Sequence, residues 1–127
     1  MEIIPSRCKI LYIDDDLNNS TLMKRILEAE GYVVSIASNG LMGLAQAEQE
    51  RPDLILLDIY MPDLNGHQVA HCLRQMEHTK ETPILMVSAS RTPEDKHLSS
   101  EAGCDGYITK PIDVDQISEQ IAAFLIA

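Results

Sequence analysis

Residues 54–66 read LILLDIYMPDLNG. Leu54, Ile55, Leu56 and Leu57 are apolar at every position, the pattern of a strand covered on both faces. The run meets a single carboxylate, Asp58, and the stretch carrying Pro62 and Gly66 cannot simply continue the strand. A strand buried on both sides belongs to a parallel sheet lying between two layers of helices. The segment therefore predicts an α/β fold, and it asks what an acid is for at the end of such a strand.

The same alternation extends outward along the chain. KILYI (9–13), VVSIA (33–37), ILMV (84–87) and a weaker GYIT (106–109) read as further strands. Between the first two, Leu22, Met23, Ile26 and Leu27 fall at helical spacing, and Gly31 closes the helix. Leu41, Leu44, Ala45 and Glu48 predict a second helix ended by Pro52. Val69, Cys72, Leu73 and Met76 predict a third. Thr92-Pro93-Glu94-Asp95 starts a fourth, with a hydroxyl cap, a first-position proline and acids in the first turn. Asp113 caps a fifth, whose apolar face is Val114, Ile117, Ile121, Phe124 and Leu125. The order is (βα)₅. Right-handed crossovers favour a five-stranded parallel sheet of order 2-1-3-4-5, the flavodoxin-like three-layer sandwich.

At 127 residues the chain is one domain's worth, so residues 1–127 are expected to form a single domain. Ten basic against twenty acidic residues give a formal charge of −10, which repels nucleic acid and anionic membranes. No apolar run approaches the roughly 20 residues of a membrane span, and MEIIPSRCK lacks the apolar centre of a signal peptide. Cys8, Cys72 and Cys104 are odd in number and irregularly spaced, which suits a reducing compartment and small apolar fillers. A cytoplasmic location is expected. His67 and His71 share a helix face but lack a nearby third ligand, and read as polar surface.

Ligands of such sheets gather at the carboxyl ends of the strands. Strand 1 ends in Asp14, Asp15 and Asp16, strand 3 in Asp58, strand 4 in Ser88, and strand 5 runs into Lys110-Pro111. Acids there can simply cap the next helix, the reading favoured for Asp16. Asp14 and Asp15 beside Asp58 repel one another in a cleft and invite a cation. An oxygen-only set without histidine or cysteine suits Mg²⁺ rather than zinc. With Lys110 and Ser88 added, the set holds what phosphoryl transfer needs: a carboxylate to attack, and charge and a hydroxyl to hold the equatorial oxygens.

In these pieces the chain resembles the receiver domains of two-component response regulators, of the chemotaxis-regulator kind. ILYIDDD (10–16), LILLDIYMPDLNG (54–66), PILMVSAS (83–90) and GCDGYITKP (103–111) carry the resemblance in order, and it covers nearly the whole chain. It implies that Asp58 is the phosphoacceptor, served by the histidine of a sensor kinase or of a histidine phosphotransfer protein. It implies an Mg²⁺ site of Asp14, Asp15, Asp58 and the backbone carbonyl of Tyr60, with Asp15 binding directly and Asp14 often through water. Lys110 and Ser88 would hold the phosphoryl oxygens, and the Lys110–Pro111 bond would be cis. Ser88 and Tyr107 would form the switch that alters the surface of the fourth helix, fifth strand and fifth helix. That surface would face a downstream effector or fused domain, or a second copy in a homodimer. Without the resemblance, Tyr107 reads as a tyrosine packed on the fourth helix. Tyr60 is large for its place, and is expected to screen the acyl phosphate and slow its hydrolysis.

Other readings fare worse. A Walker B strand needs a glycine-rich loop ending in lysine, and no glycine here precedes a lysine. A haloacid-dehalogenase-type phosphatase places a second aspartate where Tyr60 stands, so an enzyme acting on outside substrates is not expected. A flavodoxin would not put three carboxylates beside a bound phosphate. The remaining alternative is a pseudo-receiver, the same fold used as a phosphorylation-independent interaction module, although such domains usually lose one of the residues kept here. Nothing resembling an effector follows Ile126, so a single-domain regulator, a relay shuttle and part of a longer protein stay open.

Overall fold

The computed structural model describes residues 8–125. The elements run β1 (Lys9–Ile13), α1 (Leu17–Ala29), β2 (Val33–Ala37), α2 (Gly40–Glu50), β3 (Leu54–Leu57), α3 (Gly66–Gln75), β4 (Ile84–Ser88), α4 (Pro93–Glu101), β5 (Gly106–Thr109) and α5 (Val114–Leu125). All five strands pair in parallel in the order β2-β1-β3-β4-β5. This is the expected flavodoxin-like sandwich, with β4 one residue longer than the sequence predicted. Residues 1–7, part of the stretch read for a leader, lie outside the described residues.

Alternation along the strands builds the two sides of the core. Ile10, Tyr12, Leu54, Leu56, Leu85 and Val87 pack with Met23 and Leu27 of α1 and with Ile117 and Ile121 of α5. Leu11, Ile13, Ile55, Leu57, Ile84 and Met86 pack on the opposite side with Ala47 of α2 and with Val69 and Leu73 of α3. Each fully buried Leu or Ile contributes roughly 1.5–3 kcal/mol, so the strands are held from both faces.

The helix ends follow the sequence signals. Asp16 caps α1 through the amides of Asn18 and Asn19, and Asn65 and Gln68 form a reciprocal capping box at α3. Thr92 caps α4, with Pro93 in the first turn, and Asp113 accepts from the amides of Asp115 and Gln116. Gly31 takes a φ of 100° just beyond α1, a left-handed conformation that suits glycine.

Three expected apolar faces are corrected. In α2, Leu41 is 62% exposed and Ala45 and Glu48 are also exposed; the buried residues are Gly40, Gly43 and Ala47. The cause is close approach: a Cβ on Gly43 would lie within 3 Å of the Ile13 side chain, so only a small residue seats this helix. In α5, Val114 and Phe124 are exposed and Ile117 and Ile121 carry the packing. In α1, Leu22 faces solvent.

Candidate functional site

Backbone hydrogen bonds continue past the strand ends and set the site's spacing. The amide of Asp14 donates to Ala37 O at 3.0 Å, that of Asp58 to Ile13 O at 3.0 Å, and that of Lys110 to Ser88 O at 2.8 Å. Four residues far apart in sequence thus arrive at one edge of the sheet. Gly66 permits this arrangement. Its amide donates to Ile59 O at 2.6 Å, and a Cβ there would collide with the carbonyl of Asp58.

Asp14, Asp15 and Asp58 each offer an oxygen, all within 4.8 Å of one another. Asp14 is fully buried, Asp58 is 8% exposed and Asp15 opens to solvent. Asp14 Oδ2 accepts from the Tyr12 hydroxyl at 3.1 Å and from Lys110 Nζ at 3.2 Å, while Oδ1 accepts from the Asp16 amide at 2.9 Å. Asp58 Oδ1 accepts from the Ile59 amide at 2.8 Å, and its Oδ2 lies 3.6 Å from Lys110 Nζ. Lys110 therefore sits closer to Asp14 than to Asp58.

One ammonium among three carboxylates leaves the site short of positive charge. The Asp58 carboxyl is raised to about 6 as the net of opposing causes: burial pushes it up most, Lys110 and the Ile59 amide pull it down, and Asp14 and Asp15 push it up. The Tyr12 hydroxyl is raised in turn by burial and then by Asp14. A hard divalent cation fits this donor set. The ligand atoms are all oxygens, two carboxylates are anchored, and the exposed side of Asp15 leaves room for the waters that Mg²⁺ retains.

Ser88 is buried, and its Oγ accepts from the Ser90 amide at 3.2 Å. Tyr107 is half-buried, donates its hydroxyl to Ser90 O at 2.9 Å and has Lys96 Nζ 5.8 Å from its ring centroid. Packing on α4 and a place beside the Ser88 loop thus hold together. Tyr60 is 60% exposed, and its hydroxyl donates to Asp95 Oδ2 at 2.8 Å. The Lys110–Pro111 bond is cis. His67 Nε2 pairs with Ser99 Oγ at 3.0 Å and links α3 to α4.

Sequence reading missed three participants. Tyr12 stands two residues before Asp14, on the same side of an extended chain, and that spacing could have revealed it. Asp63 accepts from the Gly40 and Leu41 amides at 2.9 Å each and ties the loop after β3 to the start of α2. Asp95 read only as a first-turn acid, because its partners lie in other loops. Beside Lys110, a half-open cleft of about 480 Å³ lies between α1 and the β5–α5 connection, lined by Leu22, Met23, Ile26, Pro111 and Ile112.

Known proteins carry the same framework. The family model described as response regulator receiver domain matches residues 10–122. The DNA-binding dual master transcriptional regulator RpaA of Synechocystis sp. is 41% identical over 117 residues, covering 92% of this chain and 48% of that protein. The polar-differentiation response regulator DivK of Brucella anthropi is 34% identical over 116 residues, covering 91% of this chain and 94% of that protein. The chain spans about half the length of the transcriptional regulators it matches and nearly all of DivK. Among solved structures, chemotaxis protein CheY4 of Vibrio cholerae superposes with a TM-score of 0.90 at 29% identity, covering 94% of this chain and 99% of that one. A CheY-like receiver domain from Methanospirillum hungatei gives 0.88 at 35% identity, covering 94% of each chain. The acidic edge, the buried serine and the lysine beside a cis proline thus sit on a shared scaffold, and this chain belongs to the response regulator receiver domain family.

Proposed function

We propose that the chain is a phosphorylation-dependent switch in which Asp58 accepts a phosphoryl group. The observation that carries this reading is the juxtaposition at one strand edge of a nearly buried Asp58, two further carboxylates, Lys110 and Ser88. Asp58 attacks the phosphorus of a phosphohistidine on a sensor kinase or histidine phosphotransfer protein. An Asp58 Oδ–phosphorus bond forms, the phosphorus–nitrogen bond breaks, and the imidazole leaves and takes up a proton. Lys110 exchanges its partnership with carboxylates for one with the phosphoryl oxygens, and Ser88 donates its hydroxyl to another.

Asp14, Asp15, Asp58 and the Tyr60 carbonyl would hold Mg²⁺, which when bound supplies charge neutralisation for the crowded oxygens. Asp14 is tethered by Tyr12 and the Asp16 amide, so it orients while Asp15 remains free to bind. The new group adds about −1.5 to −2 charge beside Ser88. Ser88 then moves, Ser90 follows, and Tyr107, whose hydroxyl rests on Ser90 O, carries the change to the face formed by α4, β5 and α5. That face would meet an effector, a fused domain or a second copy. The cleft beside Lys110 and the exposed Leu22 would receive the phosphodonor.

The test is incubation with acetyl phosphate and Mg²⁺, read by intact mass. The expected result is one added phosphoryl group, lost with a chelator and lost in Asp58→Asn. No addition, or one that survives Asp58→Asn, overturns this reading, and no addition at all favours the pseudo-receiver.

A further inference from the structure

Two hydroxyl-bearing residues follow the site at the same interval: Tyr60 stands two after Asp58, and Ser90 two after Ser88. Both hydroxyls end on one atom. Asp95 Oδ2 accepts from the Tyr60 hydroxyl at 2.8 Å and, in a short bond, from the Ser90 hydroxyl. The Ser90 amide donates to Ser88 Oγ, and Ser90 O takes the Tyr107 hydroxyl. The contacts therefore run from Asp58 along the chain to Tyr60, across to Asp95, to Ser90 and back to Ser88. Asp95 joins the two arms of this path. Bonds to a carboxylate are roughly twice as strong as those between neutral groups.

We propose that Asp95 is a positioning residue, which holds Tyr60 and Ser90 in place around the phosphoryl site and so prolongs the life of the phosphoryl group. The proposal rests on the reading of Asp58 as phosphoacceptor. Hydrolysis of the acyl phosphate requires a water oxygen to attack phosphorus as the bond to Asp58 Oδ breaks. The carboxylate leaves with the electron pair, the water's proton passes to solvent, and inorganic phosphate departs. The water must come from the solvent side of the site, where exposed Tyr60 stands at the rim. While latched, the Tyr60 ring has a fixed place, and both hydroxyl protons are committed to Asp95. Once unlatched, the ring swings and two free hydroxyls can bind a water beside phosphorus.

A first-turn acid also favours its helix through the helix dipole, and Glu94 in the same turn supplies the control. The protein is phosphorylated with acetyl phosphate and Mg²⁺, the donor is removed, and decay of the phosphorylated mass is followed. Asp95→Ala and Tyr60→Phe are each expected to shorten the lifetime, by roughly two- to tenfold for Asp95→Ala. The double variant should decay no faster than Asp95→Ala, and Glu94→Ala should match the unmodified protein. Lifetimes that stay unchanged, effects that multiply, or an equal loss in Glu94→Ala overturn the latch. Tyr60→Phe removes one hydroxyl and keeps the test decisive if Asp95→Ala does not fold. A protein that takes up no phosphoryl group overturns the receiver reading and this proposal together, whereas a labelled protein insensitive to Asp95→Ala overturns the latch only.

Discussion

At the amino edge of the sheet a half-buried arginine is matched by carbonyls and a carboxylate; at the carboxyl edge three carboxylates crowd around one lysine. Arg74 donates to the carbonyls of Gly103, Thr79, Lys80 and Thr82 at 2.7–3.2 Å, and its remaining nitrogen pairs with Asp105 at 3.0 Å. Asp105 also accepts from the Ile84 amide, and Asp53 from the Lys9 amide. At the opposite edge, among the described residues, Asp14, Asp15 and Asp58 have only Lys110 for a cation. Both edges are built from the same strands. The matched edge holds the loops together, while the mismatched edge is left with an excess of negative charge.

The largest expected effect lies at the matched edge. Arg74→Met should cost about 2–4 kcal/mol in denaturant unfolding, because several carbonyls and Asp105 lose their donor at once, while phosphoryl uptake by the folded fraction stays intact. At the mismatched edge, Mg²⁺ at a hundredfold its dissociation constant should stabilise the protein by about 2.7 kcal/mol, and Asp15→Asn should lose most of that gain in the same unfolding assay. Without metal at neutral pH, Asp58→Asn should be more stable than the unmodified protein by roughly 1–3 kcal/mol, since a buried like charge is removed. Equal stability of the two proteins would mean that Lys110 balances the edge after all.

The last expected effect is a slope with pH. Asp58 titrates at about 6 when folded, above the ordinary carboxylate range near 3.9, so the folded state holds its proton more tightly. The resulting stabilisation is fully present below about pH 4 and is lost as pH rises through about 6. Metal-free protein should therefore lose stability relative to Asp58→Asn between these values. A flat difference would show that Asp58 is not strained by its surroundings.

How much of this was legible in sequence depended on the range of the signal. LILL, ILYIDDD and the Thr92-Pro93 start announce themselves through neighbours in the chain, and the parallel topology then brings Asp14, Asp58, Ser88 and Lys110 together. The buried face of α2 was hidden because Gly40, Gly43 and Ala47 pack by being small, not by being apolar. The tie of Tyr60 to Asp95 was hidden because it spans 35 residues, from the loop after β3 to the first turn of α4. Leu22 and Phe124 match an apolar stripe yet remain exposed on the outer faces of α1 and α5.

The comparison of the two edges rests finally on which carboxylate carries the phosphoryl group. After phosphorylation, borohydride reduces an acyl phosphate to an alcohol and leaves free carboxylates untouched, so peptide mapping then locates the modified side chain. The account predicts homoserine at position 58 and nowhere else. Homoserine at Asp14, Asp15 or Asp16, or none in a protein that has gained a phosphoryl mass, would contradict it.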